Sequence, residues 1–149
     1  MRCVIQRVTR ASVTSEGEEC GSIGQGYVVL IGVSVEDTEK DLKYMAEKVP
    51  TLRIFEDENG KMNRSILDAG GEILAISQFT LYGDARGQRR PGFTMAARPE
   101  QAREMYERLV QAWRDQGIRV ETGRFQTDMQ VSLVNDGPTT LLMDSTKLF

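Results

Sequence analysis

The sequence predicts an α+β domain in which two helices pack on an antiparallel-rich, barrel-like sheet. Three observations predict it. Only two stretches carry helical periodicity, and most of the remainder alternates as short strands joined by tight turns. The 149 residues, 40% of them hydrophobic, suit one core and one domain spanning 1–149.

Residues 2–14 alternate and read as the first strand. Arg7 falls on the more apolar row with Cys3, Ile5, Ala11 and Val13. An inward arginine needs carboxylate or carbonyl acceptors, and a bulge that turns it outward is the alternative. The run Gly21-Ser22-Ile23-Gly24-Gln25-Gly26 invites a phosphate-loop reading. A β-like run, Tyr27–Val33, follows it instead of a helix, and no Lys-Ser/Thr appears, so it reads as a turn before a buried strand.

The first helix is capped by Asp37 or Thr38. Leu42, Met45, Ala46 and Val49 recur at i, i+3, i+4, i+7, and Pro50 is expected to stop it. Residues 51–56 form a strand leading into an Asn59-Gly60 turn, and 72–76 form a buried strand entered from Gly70-Gly71. The second helix opens on Pro99, with Glu100 and Glu104 near its positive end. Its stripe is Ala102, Met105, Tyr106, Leu109 and Trp113, and Gly117 closes it. Residues 118–121, 130–135 and 139–144 supply three more strands.

Composition removes whole classes of chemistry. There is no histidine, which eliminates Ser-His-Asp and Cys-His arrangements, HExxH zinc sites and any imidazole base. Two cysteines, Cys3 and Cys20, are too few for a structural zinc site or a disulfide framework. No metal and no cofactor is expected. The first residues lack a signal peptide's apolar region, and the run 27–33 is far too short to span a bilayer, so a cytoplasmic protein without membrane contact is expected. A net charge of −3 argues against coating long nucleic acid, and no DNA partner is expected. The stretch 85–98 nevertheless holds Arg86, Arg89, Arg90 and Arg98 without an acid, either a solvated loop or a local basic patch.

Two motifs carry chemistry. Ser77-Gln78-Phe79-Thr80-Leu81 follows the buried strand 72–76, where a hydroxyl, an amide and free N–H groups would meet a ligand at a pocket mouth. Its plainer reading is a continuing strand with Phe79 and Leu81 inward. Asn135-Asp136-Gly137-Pro138-Thr139-Thr140 reads most simply as a hairpin turn. The alternative is a cis Gly-Pro bond aiming neighbouring carbonyls the same way, as an acceptor pair for an ammonium group.

With these motifs in order and the opening run Met1–Val13, the chain resembles the D-aminoacyl-tRNA deacylase family nearly end to end. Arg89-Arg90-Pro91, Phe125 and Met129 have counterparts there; Thr139, Gln126 and Thr127 depart from the usual residues. The resemblance implies a homodimer whose Gly137-Pro138 motif enters the partner's active site. The Gly137 and Pro138 carbonyls would hold the substrate's α-amino group, with Arg7 bracing that loop. Phe125, Met129 and Asn135 would shape substrate binding. Hydrolysis would use an N–H near Phe79 as oxyanion donor, with Ser77 and Gln78 shaping the site and the terminal adenosine 2′-hydroxyl assisting. Thr80 as a nucleophile lacks a visible base. Arg86, Arg89 and Arg90 are the expected phosphate contacts on the tRNA acceptor end. L-aminoacyl esters would be rejected and glycyl esters accepted. A non-catalytic nucleic-acid-binding module and a hydrolase of small D-amino acid esters are the competing readings.

Overall fold

The first strand, β1 (Arg2–Ser15), organises the computed structural model, which describes residues 1–149. One edge pairs antiparallel with β3 (Gly26–Gly32) along its first half and with β2 (Glu18–Ile23) along its second. The other edge pairs antiparallel with β8 (Gln130–Asp144) over nearly its whole length. Beyond β3 lie β6 (Glu72–Ser77) and then β7 (Val120–Thr122), both joined in parallel. The sheet is therefore mixed, with β2-β1-β3-β6-β7 in sequence across it and β8 on β1. Parallel neighbours require long crossovers. The helical stretches between residues 33 and 71 and between 83 and 119 supply them, a signal that strand length alone does not carry.

The sheet curls until its ends nearly meet. A β-carbon on Gly21 of β2 would stand 2.9 Å from the Thr122 carbonyl of β7. Gly24 donates its N–H to the Glu72 carboxylate at 2.9 Å, and Arg124 pairs with Glu18 at 2.9 Å. The curl gives two apolar layers. Cys3, Ile5, Val29, Ile31, Ile73 and Ala75 face the helices, whereas Val8, Val13, Val28, Leu74 and Ile76 fill the concave side.

Thr38 caps α1 (Glu39–Thr51) in a capping box with Asp41, and Leu42, Met45 and Val49 are buried as their spacing predicts. Asp37 takes another role: its buried carboxylate accepts from the Met1 ammonium at 2.6 Å and from Ser34 N–H at 2.8 Å. Pro50 does not stop the helix but sits inside its last turn. A proline there leaves the Ala46 carbonyl without its intrahelical donor. Gln116 Nε2 donates to that carbonyl at 2.9 Å, which satisfies it from the far side of the helix pair.

The second long helix, α3 (Pro99–Asp115), buries Ala102, Met105, Tyr106, Leu109 and Trp113, and Gly117 follows at φ 90°. Between the two lies a one-turn helix, α2 (Ile66–Ala69), capped by Ser65 and closed by left-handed Gly70. It makes three helices instead of two; a single turn has no periodicity to read. The predicted strand 51–56 shrinks to β4 (Phe55–Glu56), paired with β5 (Met62–Arg64) around Gly60 at φ 74°. The presumed turn 21–26 is mostly strand, with 21–23 in β2 and Gly26 in β3, leaving only Gly24-Gln25 to turn, and no phosphate loop exists. No helix is long and apolar enough to cross a membrane.

Candidate active site

The parallel ladder runs out at Ser77. Gln78 N–H still bonds to Ile31 O at 2.7 Å, but β7 reaches only to Ala75 opposite, and the chain leaves the sheet in a 3-10 turn, Phe79–Tyr82. Phe79 and Leu81 therefore do not continue a strand. Phe79 is 55% exposed and meets Phe93 edge-on, with ring centres 5.1 Å apart. The first amides of a helical turn have no carbonyl behind them. Among the backbone bonds of the turn, Leu81 N–H reaches Gln78 O and Gly83 N–H reaches Thr80 O, while Phe79 and Thr80 N–H find no backbone acceptor.

These two amides stand at a cavity of about 660 Å³. One wall is Ser77, Gln78, Phe79 and Thr80; the opposite wall is the segment Phe125–Met129 ahead of β8; Ile31, Val33 and Ala97 supply apolar lining. The structure thus brings six of the predicted residues to one place: Ser77, Gln78, Phe79, Thr80, Phe125 and Met129. Thr80 Oγ1 accepts a hydrogen bond from Gln78 Nε2 at 3.0 Å, and no hydrogen bond runs from this hydroxyl to a base.

Sequence reasoning missed Phe93 and Asp128. Asp128 is the one ionisable side chain lining the cavity. The only hint was the unusual pair Gln126-Thr127 beside it; Gln126 adopts φ 62°, and Thr127 is tied to Ser15 Oγ at 2.8 Å. Nothing in composition or periodicity marked Phe93.

Arg7, Asn135, Gly137 and Pro138 line no part of this cavity. They form a second cluster where β8 crosses β1. Val8 pairs with Asn135 and Gln6 with Thr140, so residues 136–139 are looped out opposite Arg7. The expected hairpin does not form; 130–135 and 139–144 are one strand interrupted by this bulge. Arg7 is inward and only 4% exposed. Its Nε donates to Asp136 O at 3.1 Å and its guanidinium to Ile54 O at 2.6 Å. Asn135 staples the bulge, accepting from Thr139 N–H at 2.6 Å and donating to Thr140 Oγ1 at 3.0 Å. The Gly137-Pro138 bond is cis and Gly137 has φ 133°; a β-carbon there would stand 3.1 Å from the Arg7 guanidinium. Only glycine suits both conditions.

The arginine loop is closed by paired hydrogen bonds between Asp84 and Gly92 and leads into Phe93 of the cavity. Arg86 forks onto Asp84 at 2.9 and 2.7 Å and holds that carboxyl down at about 2. Arg89 and Arg90 are exposed and make no ion pair.

Comparison with known proteins places the chain in a family. The family described as D-Tyr-tRNA(Tyr) deacylase matches residues 4–144. The D-aminoacyl-tRNA deacylase of Symbiobacterium thermophilum is 64% identical over 149 residues, covering 100% of this chain and 99% of that protein. Its counterpart from Desulfitobacterium hafniense is 60% identical, with 100% of both chains covered. A solved structure described as the c-Myc DNA Unwinding Element Binding Protein has a TM-score of 0.90 at 43% identity, covering 97% of this chain and 98% of that one. A probable eukaryotic D-amino acid tRNA deacylase shares the fold, with a TM-score of 0.82 at 17% identity and 95% and 97% coverage. With its cavity motif and its β8 bulge both in place, the chain belongs to the D-aminoacyl-tRNA deacylase family and is a hydrolase of that kind.

Proposed function

We propose that the cavity receives the aminoacyl-adenosine end of tRNA and that its ester is cleaved by main-chain donors without a side-chain base. Water attacks the ester carbonyl carbon, and the oxyanion that forms accepts hydrogen bonds from the Phe79 and Thr80 amides. The tetrahedral intermediate then collapses, and the ribose 3′ oxygen leaves carrying the proton that the attacking water gives up, so that free D-amino acid and tRNA are released. The adenosine 2′-hydroxyl beside the scissile bond helps place the water. Positioning of this kind is worth about 7–11 kcal/mol and one oxyanion donor about 3–4 kcal/mol. The observation that carries the reading is the pair of unpartnered amides opening the turn at the cavity wall. The hydrogen bond that Thr80 Oγ1 receives from Gln78 favours this scheme over attack by Thr80.

Stereochemical choice is assigned to the carbonyls of Gly137 and Pro138 of a second copy. Those residues do not line their own chain's cavity, which supports delivery from a partner in a homodimer. The outer edge of β8 has no strand beside it and exposes Val134 and Leu142, a surface suited to such pairing. With ammonium and ester carbon both fixed, an L side chain runs into the carbonyl wall and a D side chain points outward. Glycine carries nothing to reject. Single-turnover assays on matched tyrosyl-tRNAs test this: the L ester is expected to react at least about 100-fold more slowly than the D ester, a difference of roughly 3 kcal/mol. Glycyl-tRNA should be cleaved. Equal D and L rates would overturn the scheme.

The same reading gives the arginine loop to tRNA phosphates, in a cytoplasmic enzyme that works without metal or cofactor. Because Asp84 already neutralises Arg86, the three arginines are not equivalent. Replacing Arg89 or Arg90 with alanine is expected to flatten the dependence of log affinity on log salt by about 0.7 for each phosphate no longer neutralised. Arg86→Ala should change that slope much less. Binding titrations of tRNA between low and moderate salt check the ranking.

A further inference from the structure

Beyond Gln78 the 3-10 turn has no strand neighbour, and besides the edge contact of Phe79 with Phe93, two contacts hold it. From beneath it lies on Gly32, the last residue of β3, where a β-carbon would stand 3.0 Å from Leu81 Cβ and 3.2 Å from Gln78 O. From the side comes Arg2, which faces Gly32 across the β1–β3 ladder. Its NH1 donates to Leu81 O at 3.1 Å, and its guanidinium lies 4.5 Å from the centre of the Tyr82 ring. Its Nε donates to the Asp144 carboxylate at 3.1 Å. Asp144, at the end of β8, is buried and also accepts from Thr146 N–H at 2.7 Å and Thr146 Oγ1 at 2.6 Å. One planar cation therefore joins the turn's carbonyl, its aromatic face and a fixed carboxylate on the far side of β1.

We infer that Arg2 is a positioning residue for deacylation, which together with Gly32 sets the place of the turn carrying the Phe79 and Thr80 amides. The inference rests on the donor role given to those amides above. A guanidinium can satisfy a carbonyl and a carboxylate in one plane while stacking on a ring; an ammonium cannot. Arg2→Lys keeps the charge and loses that geometry. Gly32→Ala leaves Arg2 intact and shifts the turn from below by a few tenths of an ångström.

Both variants are expected to lower single-turnover kcat on D-tyrosyl-tRNA by about 10- to 100-fold, the scale of a sub-ångström misplacement. KM should hardly move, because an oxyanion donor acts only once charge develops. Hydrogen exchange supplies the second readout. The Leu81 and Gly83 amides, bonded inside the turn, should exchange faster in each variant, while α3 amides and the melting temperature stay unchanged. Unaltered exchange at Leu81 and Gly83 in both variants would overturn the role given to Arg2. Faster exchange with unaltered kcat would instead overturn the donor role of the turn and leave Arg2 as its mechanical tether.

Discussion

Replacing Phe79 with proline is expected to cut deacylation by about 100- to 1000-fold, the loss seen when one oxyanion donor is removed. The substitution deletes a single N–H and is well placed to do so cleanly. Phe79 is the first residue of its turn, where proline is tolerated and its missing donor breaks no helical bond. Gln78 before it is already extended at φ −144° and ψ 92°, as a residue preceding proline prefers. Phe79→Ala removes the ring and its edge contact with Phe93 but keeps the amide, so it should retain far more activity than the proline variant. Thr80→Ala should likewise keep substantial turnover. Single-turnover rates of the three, with circular dichroism to verify folding, decide the matter; a dead Thr80→Ala with an intact fold would restore covalent catalysis.

Arg7→Met is expected to carry the second large penalty, and to carry it twice. A buried, 4% exposed guanidinium bridges the Asp136 and Ile54 carbonyls, and methionine leaves both acceptors without a donor. Each unmet buried polar group costs about 1–3 kcal/mol, so unfolding stability should drop by about 2–6 kcal/mol. Activity should fall further than stability explains, at least about 100-fold under conditions where the variant is fully folded, because the bulge at 136–139 loses its anchor. Arg7→Lys should be intermediate, since one ammonium reaches one carbonyl at a time. Thermal melts beside kinetics separate the two losses. Wild-type turnover in a folded Arg7→Met protein would remove the bulge from the mechanism.

Legibility in the sequence followed the range of the physics. The stripes of α1 and α3 are local, repeat several times and were readable, as were Thr38 as a cap, Pro99 at the start of α3 and Gly117 after its end. Pro50 was misread as a stop, because a proline in the last turn costs one hydrogen bond that Gln116 replaces from outside the helix. The awkward place of Arg7 on an apolar row was readable too, and its answer is the first option: the side chain points inward onto carbonyl acceptors, and the irregularity lies in β8 opposite it instead of in a bulge that turns Arg7 outward. Asp136-Gly137-Pro138 misled as a hairpin because turn chemistry is local, whereas keeping Asn135 and Thr140 on the same strand is decided by β1, more than a hundred residues away. The wall 125–129 could be placed only through resemblance. Its approach to residues 77–80 is a product of the curl, and Asp128 therefore went unnoticed. The parallel pairs were missed because short strands say nothing of direction.

At the wall of the cavity, the two unpartnered N–H groups belong to the peptide unit and not to any side chain. Every amino acid except proline encodes them equally well. The gene therefore stores this part of the enzyme in residues that bend and seat the chain, such as Gly32, and substitutions there are the ones expected to silence it. An alanine scan of the cavity would leave both N–H groups in place.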